Sequence, residues 1–180
     1  MQIRLARETL QTDSIVDGDG IRSVLWTQGC PHHCLGCHNP ETWGYESGAL
    51  VDVEDIKKQL ANLENKEGLT LTGGEPFAQV EALVSITKYA KDLGFNIWAY
   101  SGYTFEYLSS NTQTLKLLEL VDVLVDGKFM LELKSAEVKF RGSTNQRIID
   151  VAKSLKKNKA VEIKYETTKP NSKADNLIFI

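Results

Sequence analysis

The chain has 180 residues, 42% hydrophobic and 25% charged, an ordinary composition for a soluble globular protein, and its length suits one domain better than two. A net charge of -3 builds in no field of the kind that attracts a phosphate backbone, so nothing points to a nucleic-acid partner. The N-terminus carries Arg4, Arg7 and Glu8 with no apolar signal-like stretch, and no run approaches membrane-spanning length; a cytoplasmic protein with no membrane partner is the expectation.

Along the chain, short β-like runs alternate with amphipathic helices. Arg22–Gln28 (RSVLWTQ) reads as a strand, rich in β-branched and aromatic residues. Asp52 is placed to cap a helix whose Val53, Ile56, Leu60 and Leu63 share one face, with Gly68 beyond its end. Leu69–Thr72 is a second strand. Gln79–Leu93 is a second helix, with Val80, Leu83, Val84 and Ala90 inward and Gly94 at its C′ position. Phe95–Tyr100 is a third strand, a poorer helix or pair of turns covers Thr104–Leu120, and Val121–Val125 is a fourth strand. Beyond Phe140, Asn145–Lys159 reads as a helix, Val161–Glu166 as a last strand, and Thr167–Asp175 as an exposed or mobile polar tail.

This alternation predicts βαβ units and a parallel sheet. The expected strand ends carry polar or Gly-rich sequence: Gln28-Gly29-Cys30, Thr72-Gly73-Gly74-Glu75, Ser101-Gly102 and Asp126-Gly127-Lys128. The C-terminal ends of parallel strands form the active face of such folds, so four segments converge on one edge.

The three cysteines, Cys30, Cys34 and Cys37, and the three histidines, His32, His33 and His38, all fall in one stretch. An odd number of closely spaced thiols makes a poor disulfide framework. Gly29, Pro31 and Gly36 make the segment a loop, which disfavours three buried structural cysteines. A Cys₃His zinc site remains open, although structural zinc draws on two separated ligand pairs and no second pair exists. An iron–sulfur cluster fits better: three thiolates can hold three irons of a cubane, leaving the fourth iron open, as an enzyme requires and a closed electron carrier does not.

Three cysteines separated by three and then two residues resemble the signature of the radical S-adenosylmethionine (SAM) superfamily. The resemblance implies an α/β fold, an incomplete (β/α)6-type barrel with a mostly parallel sheet, open at one side. It also implies one 4Fe–4S cluster held by Cys30, Cys34 and Cys37, whose fourth iron is chelated by SAM. Reductive cleavage of SAM then yields a 5′-deoxyadenosyl radical that abstracts hydrogen from a substrate. Gly73-Gly74-Glu75-Pro76, in isolation a tight turn, is similar to the family's SAM-binding Gly-Gly-Glu motif. There glycines admit the ligand to the backbone, and Glu75 would accept a hydrogen bond from the SAM ammonium. Gly36, Cys37 and His38 are placed beside SAM, with His38 equally readable as a polar loop residue. Asp126 and Lys128 share one face of an extended segment; they read either as a solvated ion pair or, by resemblance, as contacts to the SAM ribose and carboxylate. Ser101 and Gly102 belong to a further SAM-edge turn or to a bland one. Ala99–Tyr103 superficially resembles the radical loop of a glycyl-radical enzyme, but it lacks the preceding Arg and the chain is too short for the barrel that shelters such a radical.

Three segments narrow the resemblance. Asp17-Gly18-Asp19-Gly20-Ile21-Arg22 and His38–Trp43 resemble glycyl-radical activases in general. Phe140-Arg141-Gly142-Ser143-Thr144-Asn145-Gln146-Arg147 is similar to a C-terminal hallmark of the activating proteins of anaerobic ribonucleoside-triphosphate reductases. That family implies a glycyl-radical reductase subunit as substrate and a reduced flavodoxin or ferredoxin-type electron donor. Activation of a pyruvate formate-lyase-type enzyme is the alternative. The resemblance covers roughly residues 12–150 of a single domain spanning 1–180, and 151–180 is an extension without an assigned role.

Overall fold

The computed structural model describes residues 1–65 and 67–165. Its strands are β1 (Gln2–Leu5), β2 (Gln11–Ser14), β3 (Arg22–Thr27), β4 (Ala49–Asp52), β5 (Gly68–Gly73), β6 (Asn96–Tyr100), β7 (Val123–Asp126) and β8 (Arg147–Asp150). They form one sheet in the order β4-β1-β3-β5-β6-β7-β8, with β2 pairing with β3 beside β1. The pairs β3–β5, β5–β6 and β6–β7 are parallel, and the flanking pairs are antiparallel. A parallel centre of four strands therefore replaces the expected six βα units, and among the described residues the sheet stays open at β4 and β8.

Strand periodicity divides the sheet into two faces. Leu25, Leu69, Leu71, Ile97, Ala99 and Leu124 point to one side, where they join the main core. The helices α1 (Val53–Asn62), α2 (Val80–Asp92), α3 (Phe105–Ser110), α4 (Thr112–Leu118) and α5 (Val151–Lys157) all feed that core, through residues such as Ile56, Leu83, Ile86, Leu108, Leu117 and Val151. Each fully buried Leu or Ile there contributes about 1.5–3 kcal/mol. The alternate residues Thr70, Thr72, Trp98, Tyr100 and Val125 face the other side. A smaller cluster of Trp98, Val125 and Ile148, flanked by Phe140 and Tyr165, covers part of it. Among the described residues the helices all lie on the first face, and the second stays accessible at the C-terminal strand ends.

Helix boundaries follow local chemistry. Asp52 caps α1 by accepting from Glu54 N at 2.9 Å. Gly94, at φ +93°, ends α2 in the left-handed region where glycine carries least strain. Thr104–Leu120 is two helices because Asn111 accepts from both Gln113 N and Thr114 N and starts α4 afresh. The expected helix over 145–159 is corrected: its first half is β8, antiparallel to β7, followed by α5. Ile148 and Ile149 pack into the cores on opposite faces, a period of two that excludes a helix there. Strands β1, β2 and β4 were not foreseen. Of the strand expected over 161–166, residue 162 makes one bridge to Ile149, whereas Glu166 and the tail 167–175 lie outside the described residues. Among the described residues no helix is long and apolar enough to cross a membrane.

Candidate functional site

The cysteine loop leaves the end of β3 and is fixed at its start by backbone hydrogen bonds. Gly29 N donates to Thr42 O at 2.8 Å and Cys30 N to Trp43 O at 3.1 Å. The neighbouring strand end is stitched on by Gly74 N to Thr27 O and Glu75 N to Gly29 O, both 2.8 Å. A Cβ at Gly73 would lie 2.5 Å from Thr27 O, and one at Gly74 would lie 2.4 Å from Gly29 O. These glycines permit β5 and the root of the loop to approach each other.

Each histidine of the loop rests against an aromatic ring: His32 against Tyr103, His33 against Trp43 and His38 against Phe129, with centroids 4.5, 5.0 and 4.9 Å apart. His32 Nε2 also lies 2.9 Å from Glu75 Oε2. Glu75 is fully buried. Its carboxylate accepts further hydrogen bonds from Ser101 Oγ (3.0 Å), Gly102 N (2.9 Å) and Phe77 N (3.0 Å).

Cys30, Cys34 and Cys37 line one cavity of about 130 Å³ together with Gly73, Gly74 and Ser101. His38 and Cys37 line an adjoining cavity of about 410 Å³, which shares Thr72, Tyr100, Phe129 and Gln146 with the first and adds Asp17 and Arg141. Gly36, Glu75, Asp126 and Lys128 line neither. Gly36, at φ +74°, packs under Leu131. Lys128 is exposed. Asp126 is buried, capping α3 through Phe105 N (2.7 Å) and accepting from Arg147 Nε (2.9 Å). Arg147 also bonds Glu106, and the two carboxylates raise its pKa above its ordinary value.

Burial pushes the Cys30 and Cys34 thiols up, offset in part by backbone N–H groups of His32 and His33 at Cys30 and of Phe129 at Cys34. Lys128 also draws the Cys34 thiol down. Among the described residues no three His, Cys, Asp or Glu side chains converge closely enough to hold a single metal ion. A cubane is larger, and each iron takes its own thiolate, so three thiols spaced round a cavity suit its donor chemistry.

Several lining residues escaped the sequence reading. Thr72 and Tyr100 sit at the strand ends already suspected. Gln146 was visible only as part of a motif; it binds Gly127 O (3.1 Å) while accepting from Gly142 N (2.8 Å), so it braces the loop after β7. His32 was noticed for its position among the cysteines, but no local signal tied it to Glu75.

A family model described as a 4Fe–4S single cluster domain matches residues 16–149. The anaerobic ribonucleoside-triphosphate reductase-activating protein of Enterobacteria phage T4 is 38% identical over 140 residues, covering 74% of this chain and 86% of its own. Those of Salmonella typhimurium and Escherichia coli K12 are 36% and 34% identical, each covering 73% of this chain and 90% of its own. Among solved structures, QueE from Escherichia coli aligns with a TM-score of 0.47 at 18% identity, over 57% of this chain and 53% of that one.

Proposed function

The chain belongs to the family of anaerobic ribonucleoside-triphosphate reductase-activating proteins and, over residues 16–149, to the 4Fe–4S single cluster domains, and we propose that it is a radical SAM activase that generates a glycyl radical on such a reductase. One observation carries this reading: three thiols from one loop meet the Gly73-Gly74 and Ser101-Gly102 strand ends round a single cavity.

Cys30, Cys34 and Cys37 would hold a 4Fe–4S cluster, and Gly73, Gly74, Ser101 and the neighbouring backbone would hold SAM. When bound, these groups supply reductive cleavage of SAM and a 5′-deoxyadenosyl radical able to take hydrogen from a glycine. The chain's own residues orient and enclose. The stitched backbone at Gly29, Cys30 and Gly74 fixes the root of the loop. Phe129 and Trp43 bring apolar surface to the cavity wall, which excludes water from a reactive radical. His38, Lys128 and Asp126 stand outside the smaller cavity, His38 in the wall of the larger one and Asp126 as a buried brace. The larger cavity beside Cys37 leaves room for a segment of a protein substrate. A reduced flavodoxin or ferredoxin-type protein is proposed as electron donor and the cytoplasm as the compartment. A single domain over 1–180 is supported by one sheet joining residues 2 to 150.

Anaerobic reconstitution with a candidate reductase, SAM and reductant, read by EPR, tests the proposal. A glycyl-radical doublet is expected, lost when any of Cys30, Cys34 or Cys37 is replaced by Ala. A doublet obtained only with a pyruvate formate-lyase-type partner, or full activity in a single Cys variant, overturns it.

A further inference from the structure

Resting on that reading, we infer that His32 and Glu75 are positioning residues, a buried strut that seats the middle of the cysteine loop on the ends of β5 and β6, with Glu75 committed to the loop and not to SAM. The loop is hydrogen-bonded through its backbone at Gly29 and Cys30, but residues 31–36 make no backbone–backbone hydrogen bond to another element among the described residues; their one such bond is Cys37 N to Cys34 O, inside the loop. Cys34 lies in that span. His33 rests on Trp43, Gly36 lies under Leu131 and the Cys34 thiol takes the Phe129 N–H, but the side chain that links mid-loop to a buried charged group is the His32 ring. Its side chain is 6% exposed, stands edge-on to Tyr103 and meets Glu75 Oε2 at 2.9 Å.

Glu75 is at capacity. An ionised carboxylate offers about four lone-pair sites, and four groups occupy them: His32 Nε2, Ser101 Oγ, Gly102 N and Phe77 N, all within 3.0 Å. Phe77 follows β5, Ser101 and Gly102 follow β6, and His32 belongs to the loop, so one buried side chain ties together the three segments that surround the cavity. A further donor, such as the ammonium of a ligand, would have to displace one of these partners. Gly102 completes the seat: a Cβ there would fall 2.3 Å from His32 Cδ2, so the residue is glycine where the ring must lie. Networks this deeply buried hold one geometry because an unpaired member is costly.

The test uses the full chain reconstituted anaerobically, without SAM or reductase. Iron release to a chelator and the EPR spectrum of the dithionite-reduced cluster are measured for wild type, His32→Ala, His32→Gln and Gly102→Ala. Groups that orient metal ligands typically alter metal retention by 10–100-fold when removed. His32→Ala is therefore expected to release iron about tenfold faster or more, with the reduced signal split into several species. His32→Gln, whose amide still donates to Glu75, should stay within about threefold of wild type by the same measure. Gly102→Ala, which expels the ring while leaving both partners in place, should reproduce His32→Ala, and it carries the test alone if His32→Ala does not fold. Wild-type iron release and spectrum in Gly102→Ala or His32→Ala overturn the strut, as does a His32→Gln protein as defective as His32→Ala. A wild-type chain that takes up no 4Fe–4S cluster refutes instead the functional reading on which the inference rests.

Discussion

Replacing Gly74 by Ala asks whether this glycine serves a ligand or the fold. The new Cβ would stand 2.4 Å from Gly29 O, 2.9 Å from Gly29 C and 3.0 Å from Thr42 O, all backbone atoms with no rotamer to yield. Carbon settles against its neighbours near about 3.5 Å, so the β5 end and the loop root must part by roughly 1 Å. Overpacking of this kind costs about 1–3 kcal/mol. The parting also weakens Glu75 N to Gly29 O and Gly29 N to Thr42 O, each worth about 1 kcal/mol net. The sum is about 2–4 kcal/mol, a fall in Tm of roughly 5–15 °C for a chain of this size. Because Gly29 immediately precedes Cys30, iron retention should fall with it. The deciding measurement is a thermal melt of the apoprotein, where neither iron nor SAM contributes. Gly94→Ala is the control: at φ +93° with nothing within 4 Å, it should cost only about 1 kcal/mol of backbone strain and leave iron content unchanged. A Gly74→Ala apoprotein melting with wild type would refute the packing argument and leave the proposed SAM contact as the reason for a glycine there.

Two further outcomes follow from the ion pairs behind the site. Arg147→Met should cost about 2–4 kcal/mol of unfolding free energy in urea melts, because buried Asp126 keeps Phe105 N but loses its cation; a change below about 0.5 kcal/mol, the range of ordinary surface substitutions, would contradict it. Glu106 is held below its ordinary value of 4.5 chiefly by its hydrogen bond to Arg147, so its contribution is present above pH 4.5 and is lost as pH falls through the depressed folded value. Glu106→Gln should therefore be slightly less stable than wild type at pH 7, with the gap closing at pH values below 4.5, and an unchanged gap in apoprotein urea midpoints would speak against the pairing.

The features that local chemistry determines were readable from the chain. Cysteine spacing, glycines after a β-like run and Asp52 before an apolar helix stripe each report on a few neighbouring residues, and all three are where they were expected. What was hidden depends on distant partners. β1 and β4 are four-residue strands whose pairing with each other is set by contacts some fifty residues away, beyond any periodicity signal. Arg147–Asp150 resembles a helix start because Asp150 caps one; two isoleucines buried on opposite faces decide for a strand, and no window of sequence reveals which faces will be buried. Glu75 and Asp126 stood beside strand ends and invited ligand roles, and their partners His32 and Arg147 lie 43 and 21 residues away.

The consumption of those carboxylates within the fold has an electrostatic rationale. Among the described residues the smaller cavity has no Asp or Glu in its wall. Burial already raises the Cys30 and Cys34 thiols, with a smaller contribution from the neighbouring cysteines, and an unpaired carboxylate in the same low-dielectric region would raise that cost. Glu75, next to the loop, is held by four hydrogen-bond partners; Asp126, at the end of β7, is paired with Arg147 and a helix N–H. Both remain close enough to shape the cavity, and the negative charge of Glu75 still reaches Cys30, raising its thiol more than Cys34 does. Charge reappears in the wall of the larger cavity, at Asp17 and Arg141. Among the described residues the fold thereby keeps carboxylates out of the wall that the three cysteines line.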